Sequence, residues 1–336
     1  MSLGRPSSSE SRYRRDRATS TVAAFGAMVT ASLSIAMGFL VNPGAKHFGV
    51  TTAQFLLYFS IFIMTSAIAF SFVGPVIART GVRLVLIVTG LIAAASMFGM
   101  AFAPNIVVFY LLAVPLGVGA AGCNLLSANT LVTGWHVHDR RGTVLGVVAC
   151  GIGGGSIAWG LLFPPLVRAG GFRVGVLAVA AGFVLFSVLP GIFLARNPPP
   201  AEQGLSGEVH EDGPRGKVSL SGFKLVIGTL AVGAMLFSFE SAFGSIQPAV
   251  YDAAGIDSTI AGYMLSFYAF CGILAKPILG YMYDRFGPKA LFAVLATLFL
   301  FGLPPLGLAL QLDVDVLFPF LALAALSLAI PTVILP

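Results

Sequence analysis

Two ionisable side chains sit where water should hardly reach. Lys276 lies within FCGILAKPILGYMYDRFGPK (270–289), and Glu240 within MLFSFESAFGSIQ (235–247). A charge buried among apolar residues is costly unless it is paired or faces a wet cavity, so such a residue marks a substrate, ion or proton path by default. Lys276 can give an organic anion its countercharge. It also lies four residues before Gly280, about 6 Å of helix rise, and its stem could instead snorkel to the interface. Glu240 can carry a proton or pair with Lys276, or it can simply sit in a water-filled vestibule. Tyr58, Asn124, Gln247 and Tyr268 are neutral groups within apolar segments. They could hydrogen-bond a small polar solute or stitch helices together.

Metal and cofactor chemistry find no footing. His136 and His138 stand two apart in WHVHD (135–139) without a third ligand, and Cys123, Cys150 and Cys271 lack metal-site spacing. No glycine loop ending in Lys-Ser/Thr is present to cradle a nucleotide phosphate. The expectation is no metal, no cofactor and no catalysed reaction.

The elements that must position these residues are membrane helices. The chain has 336 residues, of which 57% are hydrophobic and only 10% charged, with a mean hydropathy of +0.94. Soluble domains carry about a quarter charged residues, so the sequence predicts an all-α integral membrane protein. At about 20 apolar residues per span, about ten spans are expected: 21–41, 51–73, 83–103, 105–131, 143–167, 172–195, 222–249, 259–281, 290–311 and 316–336. The fifth carries glycines four apart in GTVLG (142–146) and GIGGG (151–155), a spacing that lets helix backbones approach closely. One connection, 196–224, is long, polar and rich in proline and glycine, as a linker is. It divides six spans from four. The predicted layout is a tail over 1–19, a bundle over 20–196, a linker over 197–221 and a second bundle over 222–336.

Charge gives the orientation. With the N-terminus inside, fifteen of nineteen basic residues fall on the inner side, and only Lys46, Arg168 and Arg173 on the outer. The lysine and arginine bias therefore predicts a cell-membrane protein with a cytoplasmic N-terminus, in contact with lipid and not with nucleic acid. The inner loops also repeat. GPVIARTGVR (74–83) and GYMYDRFGPK (280–289) each join the second and third spans of their half, and such internal repetition indicates a transporter of two related bundles.

These loops and this layout resemble the major facilitator superfamily, whose loop signature runs Gly-x-Leu-Ala-Asp-Arg-x-Gly-Arg-Lys. Gly280, Asp284, Arg285, Gly287 and Lys289 match in the second copy, and Gly74, Arg79, Gly81 and Arg83 in the first, where Ala78 replaces the acid. The resemblance implies a two-bundle fold, alternating access and a gate in which Asp284 meets Arg140 or Arg141 at the start of the fifth span. Within the superfamily, AKPILGYMYD (275–284) and RRGTVLGVVACGIGGGS (140–156) are similar to monocarboxylate transporters and the oxalate–formate exchanger, with Gly272 where monocarboxylate carriers hold an acid. That likeness implies a small organic anion, a mono- or dicarboxylate, bound at Lys276 and moved with protons or by exchange. The alternatives are an efflux carrier for apolar compounds, suggested by 28 phenylalanines and the glycine-rich fifth span, and a non-transporting membrane protein. By the same resemblance two further helices, the eleventh and twelfth, are expected beyond the last span.

Overall fold

The computed structural model describes residues 8–136, 141–198, 247–252 and 254–274. Lys276, Glu240, Arg140 and the second loop copy, with Gly280, Asp284, Arg285, Gly287 and Lys289, lie outside the described residues.

Every described element is a helix: α1 (Ser8–Ala31), α2 (Leu33–Gly38), α3 (Val41–Phe48), α4 (Thr52–Thr80), α5 (Val82–Ala101), α6 (Ile106–Gly122), α7 (Leu125–Trp135), α8 (Arg141–Phe183), a π-helical turn (Val184–Val188) and α9 (Leu189–Phe193). Two more follow, α10 (247–252) and α11 (Ser258–Leu274). The first six expected spans fall within the described helices, and two features add to the expected layout. The stretch assigned to a tail is helical from Ser8, stabilised locally by an i,i+4 pair between Glu10 and Arg14 at 2.9 Å. The fifth and sixth spans run on as α8, broken only at Gly171, whose φ of 70° is open to glycine and strained for other residues.

Other breaks are repaired by hydroxyls, as a membrane requires. Between α6 and α7 the Cys123 carbonyl shares the Thr30 hydroxyl of α1, at 2.9 Å, with Ala27 O at 2.6 Å. Between α1 and α2, Ser32 Oγ donates to Val29 O at 2.6 Å. The connection before α4 ends in a capping box, in which Thr51 and Gln54 satisfy one another's backbone N–H groups.

The described chain falls into two compact units. The first comprises Met1–Leu33, Pro43–Ile152 and Gly170–Ser206, and the second Ser34–Asn42, Gly153–Ala169 and Gly207–Pro336. In the first, α4 and α5 both pack on α6, and α1 packs on α7. Small residues set these distances. A Cβ at Gly119 would lie 2.6 Å from Ala93 N and 2.7 Å from Thr89 O, and one at Gly117 would lie 2.7 Å from Phe62 O. Lipid supplies no hydrophobic drive for helix association, so this close backbone contact is what holds the bundle. Leu57, Met64, Ile68 and Phe72 of α4 stay exposed at one-turn and two-turn spacing, forming a lipid-facing stripe. In the second unit, α8 crosses α11 at glycines: a Cβ on Gly160 would lie 2.8 Å from Gly262 O, and one on Gly153 would overlap the Ile273 side chain.

Gly119→Ala is expected to lower the melting temperature of the purified protein by several degrees, since overpacking costs about 1–3 kcal/mol. Gly74→Ala, whose new methyl meets nothing within 4 Å, should leave it unchanged. Equal melting of the two variants would contradict the packing account.

Candidate functional site

Among the described residues of the second unit, the polar interior is built from neutral groups. Gln247 opens α10 and is fully buried; its Nε2 donates to Tyr251 Oη at 2.5 Å. Its Oε1 has no hydrogen-bond partner among the described residues, and leaving such an acceptor buried and unpaired is costly. A solute carrying a donor would relieve that cost. Where α8 crosses α11, Ser266 Oγ donates to Gly262 O at 2.8 Å and lies 3.3 Å from Ile157 O. At the same level and over the next turn of α8, Trp159 and Phe163 meet edge to face at 6.0 Å, and Phe163 stacks at a tilt with Phe39 at 6.1 Å. Tyr268, also on α11, is half-buried.

The same unit is latched near Arg168. Its guanidinium donates to both oxygens of Asp257, at 2.7 and 2.6 Å, and Asn42 Nδ2 donates to Asp252. Asp257 begins the turn into α11 by accepting from Thr259 N at 2.8 Å. The Thr259 backbone N–H and hydroxyl, with Arg168, hold its carboxyl below the usual carboxylate range. The sequence presented Arg168 and Asp257 only as loop charges. Their opposite signs at the ends of neighbouring spans were the available signal.

In the first unit, Tyr58 is buried in a cluster of rings, 5.1 Å from Phe55 and 5.2 Å from Phe109. His47 stacks on Phe172 beside them. Asn124 is placed as the N-cap of α7, where its Oδ1 accepts from Leu125 N at 2.7 Å; its side chain serves the helix break there. Of the first loop copy, Gly74 lies in open space and Arg79 in the last turn of α4. Gly81 takes φ 83°, with the Asn197 amide where its Cβ would be. Arg83 N donates to Asn197 Oδ1 at 3.2 Å, while its guanidinium donates to Gly191 O at 3.3 Å and Ile192 O at 2.9 Å. A cation on the last carbonyls of a helix both caps it and complements its dipole. Arg83 therefore ties the start of α5 to the end of α9, and Asn197 is the partner that sequence reasoning missed. Arg141 stands at the start of α8.

Neutral groups inside the helices, charges at their ends and glycine-mediated crossings define a multi-pass membrane protein of the transporter type. The Major Facilitator Superfamily model matches residues 18–334, and the chain belongs to that superfamily. It is similar to the multidrug resistance protein MdtG of Salmonella choleraesuis, 29% identical over 82% of this chain and 69% of the relative. It is also similar to MdtG of Klebsiella pneumoniae, 30% identical over 82% of this chain and 67% of the relative, and the alignment with the Dickeya zeae protein takes in 60% of that relative. Among solved structures, the xylose transporter XylE from E. coli shares the fold with a TM-score of 0.72 at 16% identity, covering 96% of this chain and 87% of that one. A bacterial homologue of the lysosomal transporter Spinster shares it at 0.62 and 17% identity, covering 98% and 74%.

Asp257→Asn is expected to raise the labelling rate of a cysteine placed at buried Ala261 about twofold to fivefold, as exposed ion pairs allow, and the Arg168→Asp/Asp257→Arg swap should restore it. Because the folded carboxyl is held below its usual range, the stability from the pair is present above the ordinary value near pH 4 and lost as pH falls through the lowered one. The melting difference between wild type and Asp257→Asn should therefore stay constant from pH 8 to 5 and close only below about pH 4.

Proposed function

We propose that the protein is a secondary transporter that moves apolar or amphipathic organic compounds out of the cell by alternating access, with proton movement as the driving exchange. One observation carries this reading: among the described residues the charges lie in the polar first turns of α1, beside the Gly171 break of α8, at other helix ends or in connections, so the apolar stretches of the described helices offer rings, hydroxyls and the free Gln247 oxygen. Such a lining favours uncharged solutes with a donor over ions. The relatives named for multidrug resistance support it. In this reading the Arg168–Asp257 latch and the Gly160–Gly262 crossing close the outer side and part during the cycle. The loops around Gly81 and Asp284 would act at the inner side, with Asp284 meeting Arg140 or Arg141, and Glu240 would carry the proton. The lysine and arginine bias supports a cytoplasmic N-terminus in the cell membrane.

A second reading, transport of a small mono- or dicarboxylate, is favoured by Lys276, the one lysine well inside an apolar span.

Everted vesicles containing the protein separate the two. With an imposed proton gradient, accumulation of an uncharged hydrophobic dye is expected, and Lys276→Gln should retain at least half of it. Gradient-driven uptake of a labelled carboxylate, abolished by Lys276→Gln and not by Lys276→Arg, would select the second reading instead. A Gln247→Leu variant should weaken transport of donor-bearing dyes about fivefold to tenfold while leaving donor-free dyes alone.

A further inference from the structure

A cleft of about 740 Å³ opens beside the first turns of α1 and is lined by Arg12, Arg15, Asp16, Thr19, Phe193 and Arg196, among others. It plays no part in the transport path described above. Three guanidiniums face one carboxylate there. The Arg12 and Arg15 side chains make no ion pair or hydrogen bond among the described residues, whereas Arg14 is occupied by Glu10. Thr19 Oγ1 is turned to the Asp16 carbonyl at 3.1 Å, and Arg196 Nη1 reaches only the carbonyl of Ala195, at 3.4 Å.

The cleft is a built feature of the first unit. The Arg196 carbonyl accepts from Trp135 Nε1 at 2.9 Å, and Arg196 N donates to Ser20 Oγ at 3.0 Å. The backbone of Arg196 is thereby fixed to α7 and α1 while its side chain is left to the cleft. Trp135, buried with Tyr13 against it at 5.4 Å, backs this end of the bundle from inside, and the cleft stands where the apolar span ending at Phe193 gives way to basic residues, the level at which headgroups lie. Phe193, at the mouth, is 67% exposed. It is an apolar wall that soluble anions would not need and acyl chains would cover.

We propose that this cleft binds a phosphate-bearing headgroup, that of an anionic phospholipid in the leaflet at the basic end of the bundle. Guanidiniums pair with phosphate oxygens through parallel N–H donors, and clustered arginines beside a membrane helix attract anionic lipid with each charge contributing separately. Asp16 opposes the anion and limits affinity.

Full-length protein purified in a neutral detergent is titrated with phosphatidylglycerol, with phosphatidylcholine, and with glycerol 1-phosphate, while bound lipid is counted by native mass spectrometry and melting is followed. Phosphatidylglycerol alone should bind and raise the melting temperature. Arg12→Gln/Arg15→Gln should weaken it about tenfold to thirtyfold. Asp16→Asn should tighten it about threefold to fivefold, a gain that misfolding cannot produce. A shift of equal size from glycerol 1-phosphate, with displacement of the lipid, would keep the phosphate site and assign it to a soluble ligand. Unchanged phosphatidylglycerol affinity in the double variant, or no gain in Asp16→Asn, would overturn the proposal. Neither result depends on what the protein transports.

Discussion

The structure depends on one constraint: within a bilayer every backbone polar group must find its partner inside the protein. Unbroken helices meet it without help, and each interruption here carries its own remedy. Thr30 serves the carbonyl freed at Cys123, Ser32 the one at Val29, and Arg83 the last carbonyls of α9. These remedies also cross-link elements distant in sequence. Thr30 joins α1 to the α6–α7 break, and Arg83 joins α5 to α9. A local chemical debt thus becomes tertiary structure, in a medium where apolar burial contributes little to helix association.

The same constraint sorts the side chains. Small residues take the positions where backbones cross, as Gly117 and Gly119 do against α4 and α5. Large apolar residues such as Met64 and Phe72 go to lipid. Charges are pushed to the ends, where they can be hydrated, and there they do positional tasks: Arg168 holds Asp257, and Arg83 holds the end of α9. The helix interiors keep only neutral polar groups among the described residues, and Gln247, bonded to Tyr251 through its nitrogen, retains an oxygen to offer.

Much of this was legible in sequence because membrane helices announce themselves by length and hydropathy. The first six spans and the superfamily follow from such patterns; of the glycines singled out in the fifth span, Gly151 meets Phe25 O but Gly146 meets nothing within 4 Å, and the contacts with α11 fall at Gly153 and Gly160 instead. Three features were not legible, each for a physical reason. The helicity of residues 8–19 was hidden because polar helix turns resemble polar tails, and only the Glu10–Arg14 spacing hinted at it. The capping role of Asn124 was hidden because capping depends on a helix break that hydropathy cannot register. The Arg168–Asp257 and Arg83–Asn197 partnerships join residues separated by 89 and 114 positions, and charge counts assign such residues to a side of the membrane without saying whom they meet. Lys276 and Glu240, the residues that most strongly suggested chemistry, lie outside the described residues and stay with the proposed function.

The crossing of α8 and α11 illustrates why glycine would suit a contact that parts in the proposed alternating-access cycle. Large interdigitated side chains would leave voids on separation, and in lipid each void forfeits dispersion contacts that the solvent does not readily replace. At Gly160 and Gly262 the facing surfaces are backbone, smooth and already hydrogen-bonded within their own helices. Ser266 keeps its bond to Gly262 O, one turn back on its own helix, whether or not Ile157 is near. Little polar satisfaction is therefore lost when the helices part. The contact is then held chiefly by packing and by the exposed Arg168–Asp257 pair at its end, and exposed pairs are weak and replaceable by water. A crossing so built can be specific in register when closed without being deep in energy, as the proposed transport cycle would require.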